Sequence, residues 1–398
     1  MPRNCLLLVL CLALPVALFA TEGNTRAGPA VNRVTAVLQP YVDRQALAGA
    51  VTLVADKHGI LGVDAVGFAD VAARQPMRTD NLFWIASQSK SMTAAALMIL
   101  VDRGRVKVDD PVAKYLPEFA CQRLAAREGG KDVLRQPAHP IKVREILTHT
   151  SGLPFASPQE NPTLDGLPLR EAVRSYAEAP LQFEPGTQYQ YSNAGLNTAG
   201  RIIEVVSGLS YEEFMQQHLF DPLGMKDTTF WPTAEQSQRI AKSYCPNDGK
   251  AGLQETRIAQ LKYPLADRGT RHPVPAGGLF STARDVGRFC QMVLNDGVFD
   301  GHRVLSAAAV LQMTSKQTGA AVKQGYGFGW EVGDGWCGHG GACSTHMSIN
   351  RKGGWITVFL VQHAGFPLDG DQCHAAFETT AERWLDEMRP ARSHQGAE

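Results

Sequence analysis

Net charge is what this chain of 398 residues most conspicuously lacks: 39 basic residues face 39 acidic ones. A protein that grips nucleic acid or an anionic lipid surface carries a basic excess, so neither partner is expected. Long apolar runs are equally scarce. The one candidate, "CLLLVLCLALPVALFA" at residues 5–20, is short for a bilayer span, follows a lone positive charge at Arg3, and ends on the small residue Ala20. It reads as a secretory signal peptide over residues 1–20, which sends the mature protein to the periplasm or the medium. Leu18 stands where such a site prefers a small residue, and an uncleaved anchor is the alternative. No internal repeat is present, which removes solenoid and propeller architectures.

Two more absences narrow the chemistry. No Gly-x-Ser-x-Gly pentapeptide occurs, so a nucleophile elbow of the α/β-hydrolase kind is excluded. Cysteine and histidine gather in the last third (Cys337, His339, Cys343, His346, His363, Cys373, His374), but their spacings match no standard zinc pattern. No metal and no cofactor are expected. Outside the leader, Cys121, Cys245, Cys290, Cys337, Cys343 and Cys373 remain. An oxidising compartment would permit disulfides among them, with a connectivity that spacing does not reveal.

What is present reads as a mixed α/β chain. An amphipathic helix is expected at Val31 to Arg44, then a hairpin of two strands in "GAVTLVADKHGILGVDAVGFAD". A helix runs from Ser87 to near Gly104, a good residue to follow a helix end. From Asp110 to about Tyr263, helices alternate with long Pro- and Gly-rich loops such as "LPFASPQENPTLDGLPL". Helices at Thr282 to Asn295 and Ser306 to Met313 follow, then short strands at Tyr326 to Val332, Ser344 to Asn350 and Trp355 to Gln362. A last helix spans Cys373 to Met388. Strands near both termini imply one antiparallel β-sheet flanked by helices, built from residues 28–109 and 276–390, with a mainly helical lobe of residues 110–275 inserted. Residues 391–398 form a polar tail.

The chemistry starts in "WIASQSKSMTAAALMIL", residues 84–100, where Ser87 and Lys90 stand three apart at the start of a helix that turns apolar. Residues at that spacing are neighbours on a helix, so Ser87 Oγ and Lys90 Nζ can meet. A serine hydroxyl needs a base or a cation to become nucleophilic, and a desolvated lysine supplies either. Alone, the pair also fits a helix cap beside a solvated lysine. Two further motifs change the balance: "YSN" at Tyr191 to Asn193 before a Gly-rich helix start, and "HGG" at His339 to Gly341 after a strand.

Together these resemble the Ser-x-x-Lys, Tyr-x-Asn and Lys-Thr-Gly motifs of the serine β-lactamase and penicillin-binding protein superfamily. The segments "DDPVAKYLPEF", "IKVREILTHTSGLP", "FEPGTQYQYSNAGLNTAGRIIEVVSG", "LFDPLGMKDTTF", "PAGGLFSTARDVGRFCQMVLNDG" and "YGFGWEV" look like its class C β-lactamase-related branch, over residues 28 to 388. The resemblance implies an acyl-enzyme on Ser87, with Lys90 as proton-transfer partner and Tyr191 as general base or as conduit to the leaving group. Which of the two removes the serine proton stays open. Asn193 is implied to orient Lys90 and the substrate carbonyl. The backbone N–H groups of Ser87 and Ala342 are implied to form the oxyanion hole, with His339, Gly340 and Gly341 lining the substrate site. "THTSGLP", with His149 and Ser151, reads as a turn that caps a helix away from the nucleophile.

His339 and Gly340 stand where the family's lysine and threonine bind a substrate carboxylate. A neutral imidazole and a missing hydroxyl are a poor replacement, although protonation of His339, or a basic side chain such as Arg271 or His346, would restore the contact. The expected activity is therefore hydrolysis of small-molecule esters, small amides or peptides with weak β-lactamase activity. The alternatives are a true β-lactamase, a D-alanyl-D-alanine carboxypeptidase-like enzyme, or a penicillin-binding sensor without turnover.

Overall fold

The chain, described over residues 31–249 and 251–388 of a computed structural model, is organised by one antiparallel sheet of seven strands. The expected signal peptide and the expected polar tail lie outside the described residues. The strands are β1 (Gly49–Asp56), β2 (Ile60–Asp70), β3 (Gln75–Pro76), β4 (Glu331–Gly333), β5 (Trp336–Gly340), β6 (His346–Asn350) and β7 (Trp355–Leu360). Their order is β4-β5-β6-β7-β1-β2-β3, so the first and last parts of the chain meet where β1 pairs with β7, Val51 opposite Leu360.

Strand β1 reads "GAVTLVAD", almost wholly apolar, because both of its faces are covered. Val51, Leu53 and Ala55 point into the main core, while Ala50 and Val54 point into a second core with Val34, Leu38, Phe377 and Leu385. The main core is backed by helices α1 (Ser89–Asp102) and α3 (Ala283–Leu294); the second is closed by the terminal helices, including α4 (Cys373–Met388). Thr282 caps α3 by accepting from the Asp285 N–H at 3.3 Å, and α3 ends one residue short of the expected Asn295.

The inserted lobe shares the main core. Leu196, Ala199 and Ile203 of helix α2 (Asn193–Ser207) pack in one cluster with Leu97 and Leu100 of α1. The lobe, expected to be mainly helical, also contains strands. It carries a hairpin of Leu124–Glu128 and Lys131–Arg135, turned by Gly129 and Gly130 at φ of 57° and 80°, and a second hairpin of Ser243–Pro246 and Leu253–Thr256. The N-terminal helix is also broken, into Val31–Ala36 and Gln39–Asp43, because Pro40 lacks the N–H that a continuous helix would need. The strand expected at Tyr326 to Val332 shrinks to β4 at the sheet edge, and an additional strand, β5, pairs with it. Among the described residues no helix is long and apolar enough to cross a membrane.

Candidate active site

Helix α1 begins after a turn of 3-10 helix at Ala86–Gln88, and Ala86 sits at φ 46°, a left-handed conformation that a residue with a Cβ pays for. The strained residue sets the direction in which Ser87 leaves the chain. Ser87 stays half-buried at the mouth of the turn, whereas every residue from Ser89 to Leu100 is buried, Lys90 completely.

The Lys90 amine touches three oxygens: Ser87 Oγ at 3.0 Å, Asn193 Oδ1 at 2.8 Å and the Ala276 carbonyl at 2.7 Å. Burial drives its pKa well below the ordinary lysine value, so the free amine is favoured. A neutral amine has two N–H bonds and one lone pair. Asn193 Oδ1 and Ala276 O can only accept, which leaves the lone pair for the Ser87 O–H. The Ala276 carbonyl is itself held, because its N–H donates to Asn197 Oδ1 at 3.0 Å.

Tyr191 completes the group. Its ring centroid lies 4.7 Å from Lys90 Nζ. Burial pushes the phenol well above its ordinary pKa, and its contact with Ser87 opposes this only in part. Burial thus favours the free amine at Lys90 and the protonated phenol at Tyr191. Ser192 caps α2, accepting from the Gly195 N–H at 3.3 Å, and Asn193 is the first residue of that helix.

On the other side of Ser87, the end of β5 presses against the turn that carries it. A Cβ on Gly341 would lie 2.5 Å from the Ile85 carbonyl and would also strike Thr345 Oγ1; only glycine allows this approach. Gly341 is locked by its N–H to Thr345 O at 2.8 Å. Among the described residues the N–H groups of Ser87 and Ala342 find no acceptor, which leaves both donors free.

His339 differs from its expected place at the substrate. It lies within β5 rather than after a strand, is 3 % exposed, and has both ring nitrogens engaged, one with the Tyr326 hydroxyl at 2.9 Å and one with the Gly340 carbonyl at 2.7 Å. The carbonyl can only accept, so Nδ1 carries the proton and Nε2 accepts from Tyr326. No nitrogen is left to offer a substrate. Burial above all pushes the imidazole down to about 3, which keeps it neutral. Arg271 does not replace the missing cation: it is buried in an ion pair with Asp165, Nε to Oδ2 at 2.6 Å. His346 stacks on His374 with centroids 3.9 Å apart, and burial lowers it to about 4.

Ser151 is buried in the turn, its Oγ accepting from the Leu153 N–H at 3.3 Å. The turn does close the helix Val143–Leu147, with Thr150 N–H on the Glu145 carbonyl at 3.0 Å, but His149 is not remote from the candidate site, since its ring lies 4.4 Å from that of Tyr191. His149, Tyr326, Asn197 and the Ala276 carbonyl are the neighbours that sequence reasoning did not find. Cys121, Cys245, Cys290, Cys337, Cys343 and Cys373 are all free thiols, and among the described residues no group of three or more His, Cys, Asp or Glu side chains could hold a metal ion.

Comparison with known proteins bears on this geometry. The Beta-lactamase family model matches residues 34–379. The chain is 29% identical to a lovastatin esterase from Penicillium rubens, over 84% of its own length and 93% of the esterase. It is 31% identical to penicillin-binding protein 4 of Amycolatopsis lactamdurans, over 72% and 73% of the two chains. In fold it is similar to EstCE1, described as a hydrolase with promiscuous acyltransferase activity, at a TM-score of 0.73 and 23% identity over 88% of this chain and 98% of that one.

Proposed function

From a chain that belongs to the Beta-lactamase family, and is a serine hydrolase by that membership, we propose a narrower reading: an acyl-enzyme hydrolase of short esters and small amides, with Ser87 as nucleophile. The observation that carries it is the fully buried Lys90 amine, held by Asn193 Oδ1 and the Ala276 carbonyl with its nitrogen 3.0 Å from Ser87 Oγ.

The steps balance with these groups alone. Ser87 Oγ bonds to the acyl carbon as its proton passes to Lys90 Nζ. The N–H groups of Ser87 and Ala342 stabilise the oxyanion, a contribution on the order of 10²–10³ in kcat for each such donor. When the intermediate collapses, the bond to the leaving alcohol or amine breaks and Tyr191 O–H protonates the departing atom. The lysine proton then returns to the Tyr191 oxygen. Water repeats the cycle in reverse and releases the acid. Asn193 holds the Lys90 amine in place through its Oδ1.

Substrate preference rests on His339. A neutral ring with both nitrogens occupied, beside a glycine, provides no charge-assisted contact for a carboxylate, which such a contact would favour by about 1.5–3 kcal/mol. Esters and amides without a carboxylate should be preferred over β-lactams. The apolar run at residues 5–20 supports export, and intact mass of the mature protein would test whether it begins at Thr21.

The test has two arms. A fluorophosphonate should add one adduct by intact mass, absent in Ser87→Ala; labelling that persists there, or maps to Ser151, refutes the nucleophile. On one preparation, kcat/KM for p-nitrophenyl butyrate should exceed that for nitrocefin at least tenfold, as expected from about 1.5 kcal/mol. Efficient nitrocefin hydrolysis would refute the substrate class.

A further inference from the structure

His149 combines three features that a turn residue does not need. It has φ 60°, in the left-handed region that a bulky side chain avoids. It is 1 % exposed, and its Nε2 has no hydrogen-bond partner. Its other polar atoms reach the same short segment from two directions. The His149 carbonyl accepts the Gln190 N–H at 2.9 Å, and His149 Nδ1 accepts the Ser192 N–H at 3.1 Å. Tyr191 lies between those two anchors, and the imidazole itself packs against the Tyr191 ring at 4.4 Å between centroids.

Because Nδ1 accepts, the neutral imidazole carries its proton on Nε2. That N–H faces no acceptor among the described residues, and the ring is enclosed by Tyr189, Tyr191 and Tyr326, with centroids 5.8, 4.4 and 4.7 Å away. A left-handed backbone and an unpaired buried N–H are both unfavourable, and they persist only where the surroundings over-determine them. A hydrophobic side chain would fill the same space without the second penalty. What it could not do is hold the Ser192 N–H.

We propose that His149 is the positioning residue of Tyr191, clamping the backbone on both sides of it so that the phenol is aimed at the leaving group. This rests on Tyr191 acting as the proton donor. The clamp makes a specific demand on substrate chemistry. An ethoxide leaving group must be protonated as it departs, whereas p-nitrophenoxide leaves without help. General acid assistance is worth about 10²–10⁴-fold where it is needed. A misaimed phenol therefore penalises alkyl esters and spares p-nitrophenyl esters; a purely structural defect lowers both together.

The experiment measures kcat/KM, which reports acylation, for ethyl butyrate and p-nitrophenyl butyrate with the full chain, Tyr191→Phe, His149→Ala, His149→Gln and His149→Asn. Asn tolerates the left-handed backbone and presents Oδ1 where His presents Nδ1, so His149→Asn should keep most of the wild-type ratio between the two substrates. His149→Ala should lower the ethyl ester at least about tenfold more than the p-nitrophenyl ester. His149→Gln, whose acceptor is displaced by one atom, should do the same and serves if His149→Ala does not fold. Equal losses on both esters in whichever of these two variants is folded would overturn the proposal. If Tyr191→Phe itself shows no preference between the esters, the proton-donor role of Tyr191 has failed instead.

Discussion

Adding one methyl group at Gly341 tests the contact between β5 and the nucleophile turn. The built Cβ lies 2.5 Å from the Ile85 carbonyl, while real Cβ contacts do not fall below about 3.0 Å, so the two segments must part by roughly 0.5 Å. Thr345 Oγ1, the other atom in the way, can change rotamer. Ile85 O is backbone and sits two residues before Ser87, so the displacement falls on the geometry between the Ser87 and Ala342 N–H groups. A misplacement of about 1 Å can reduce turnover about 10²-fold, and loss of one oxyanion donor about 10²–10³-fold. We expect Gly341→Ala to lower kcat for p-nitrophenyl butyrate by about 10- to 100-fold, equal to about 1.4–2.7 kcal/mol of transition-state stabilisation. Overpacking should also lower unfolding free energy in urea by about 1–3 kcal/mol. Gly340→Ala is the control. The nearest atoms to its Cβ would be those of the His346 ring, at 3.1 Å, and a ring can give by a few tenths of an ångström. Its kcat should stay within about threefold of wild type, the change that roughly 0.7 kcal/mol would bring. Equal effects of the two substitutions, or wild-type turnover in Gly341→Ala, would refute a rigid contact between strand and turn.

Lys90→Met and Tyr191→Phe should each reduce kcat severely, while the double variant loses little more, because groups that act as a unit are non-additive; additive losses in logarithmic units would show independent roles. The pH profile of kcat/KM should rise as pH climbs through the lowered Lys90 pKa, since only the free amine can accept the serine proton. It should show no inflection from His339 between pH 5 and 8, because that imidazole has already lost its charge at about 3. Lys90 also couples to stability. Between its folded pKa and the unfolded value of 10.5 the unfolded chain binds a proton that the folded chain does not, so stability relative to Lys90→Met should rise with pH over that window in urea titrations. Asp165→Ala, which strands the buried Arg271, should cost about 3–5 kcal/mol of unfolding free energy while leaving kcat per folded molecule unchanged.

The fold was legible where burial is one-sided or strongly punctuated. Thr282 and Ser306 announce their helices as N-caps, and α4 runs from Cys373 to Met388 as its pattern implies. The hairpin at residues 124–135 has a signal, Gly129-Gly130 between short alternating segments, that was submerged in a region dominated by helices and loops. Strand β5 was obscured for another reason. Three of its residues, Trp336, Gly338 and Gly340, share one face, and two of these have no side chain to show a period of two.

The candidate site divides along the line between side chains and backbone. Ser87, Lys90, Tyr191 and Asn193 are motif residues, and they converge as the spacing and the resemblance imply. The Ala276 carbonyl, by contrast, is an acceptor that any residue would provide, so no residue type marks it. The same holds for the Gln190 and Ser192 N–H groups that His149 holds. His149 carries a side chain, yet its sequence context is a turn, and turn chemistry accounts for Thr148, Thr150 and Gly152 without it. Its significance follows only from a chain reversal that brings residue 149 beside residue 191. His339 is the converse: its position in a motif suggests contact with substrate, and the Tyr326 hydroxyl, thirteen residues away in the chain, removes the nitrogen that such contact requires. In this site the motifs gather the candidate reactive atoms, while hydrogen-bond partners distant in sequence determine which of those atoms remain free.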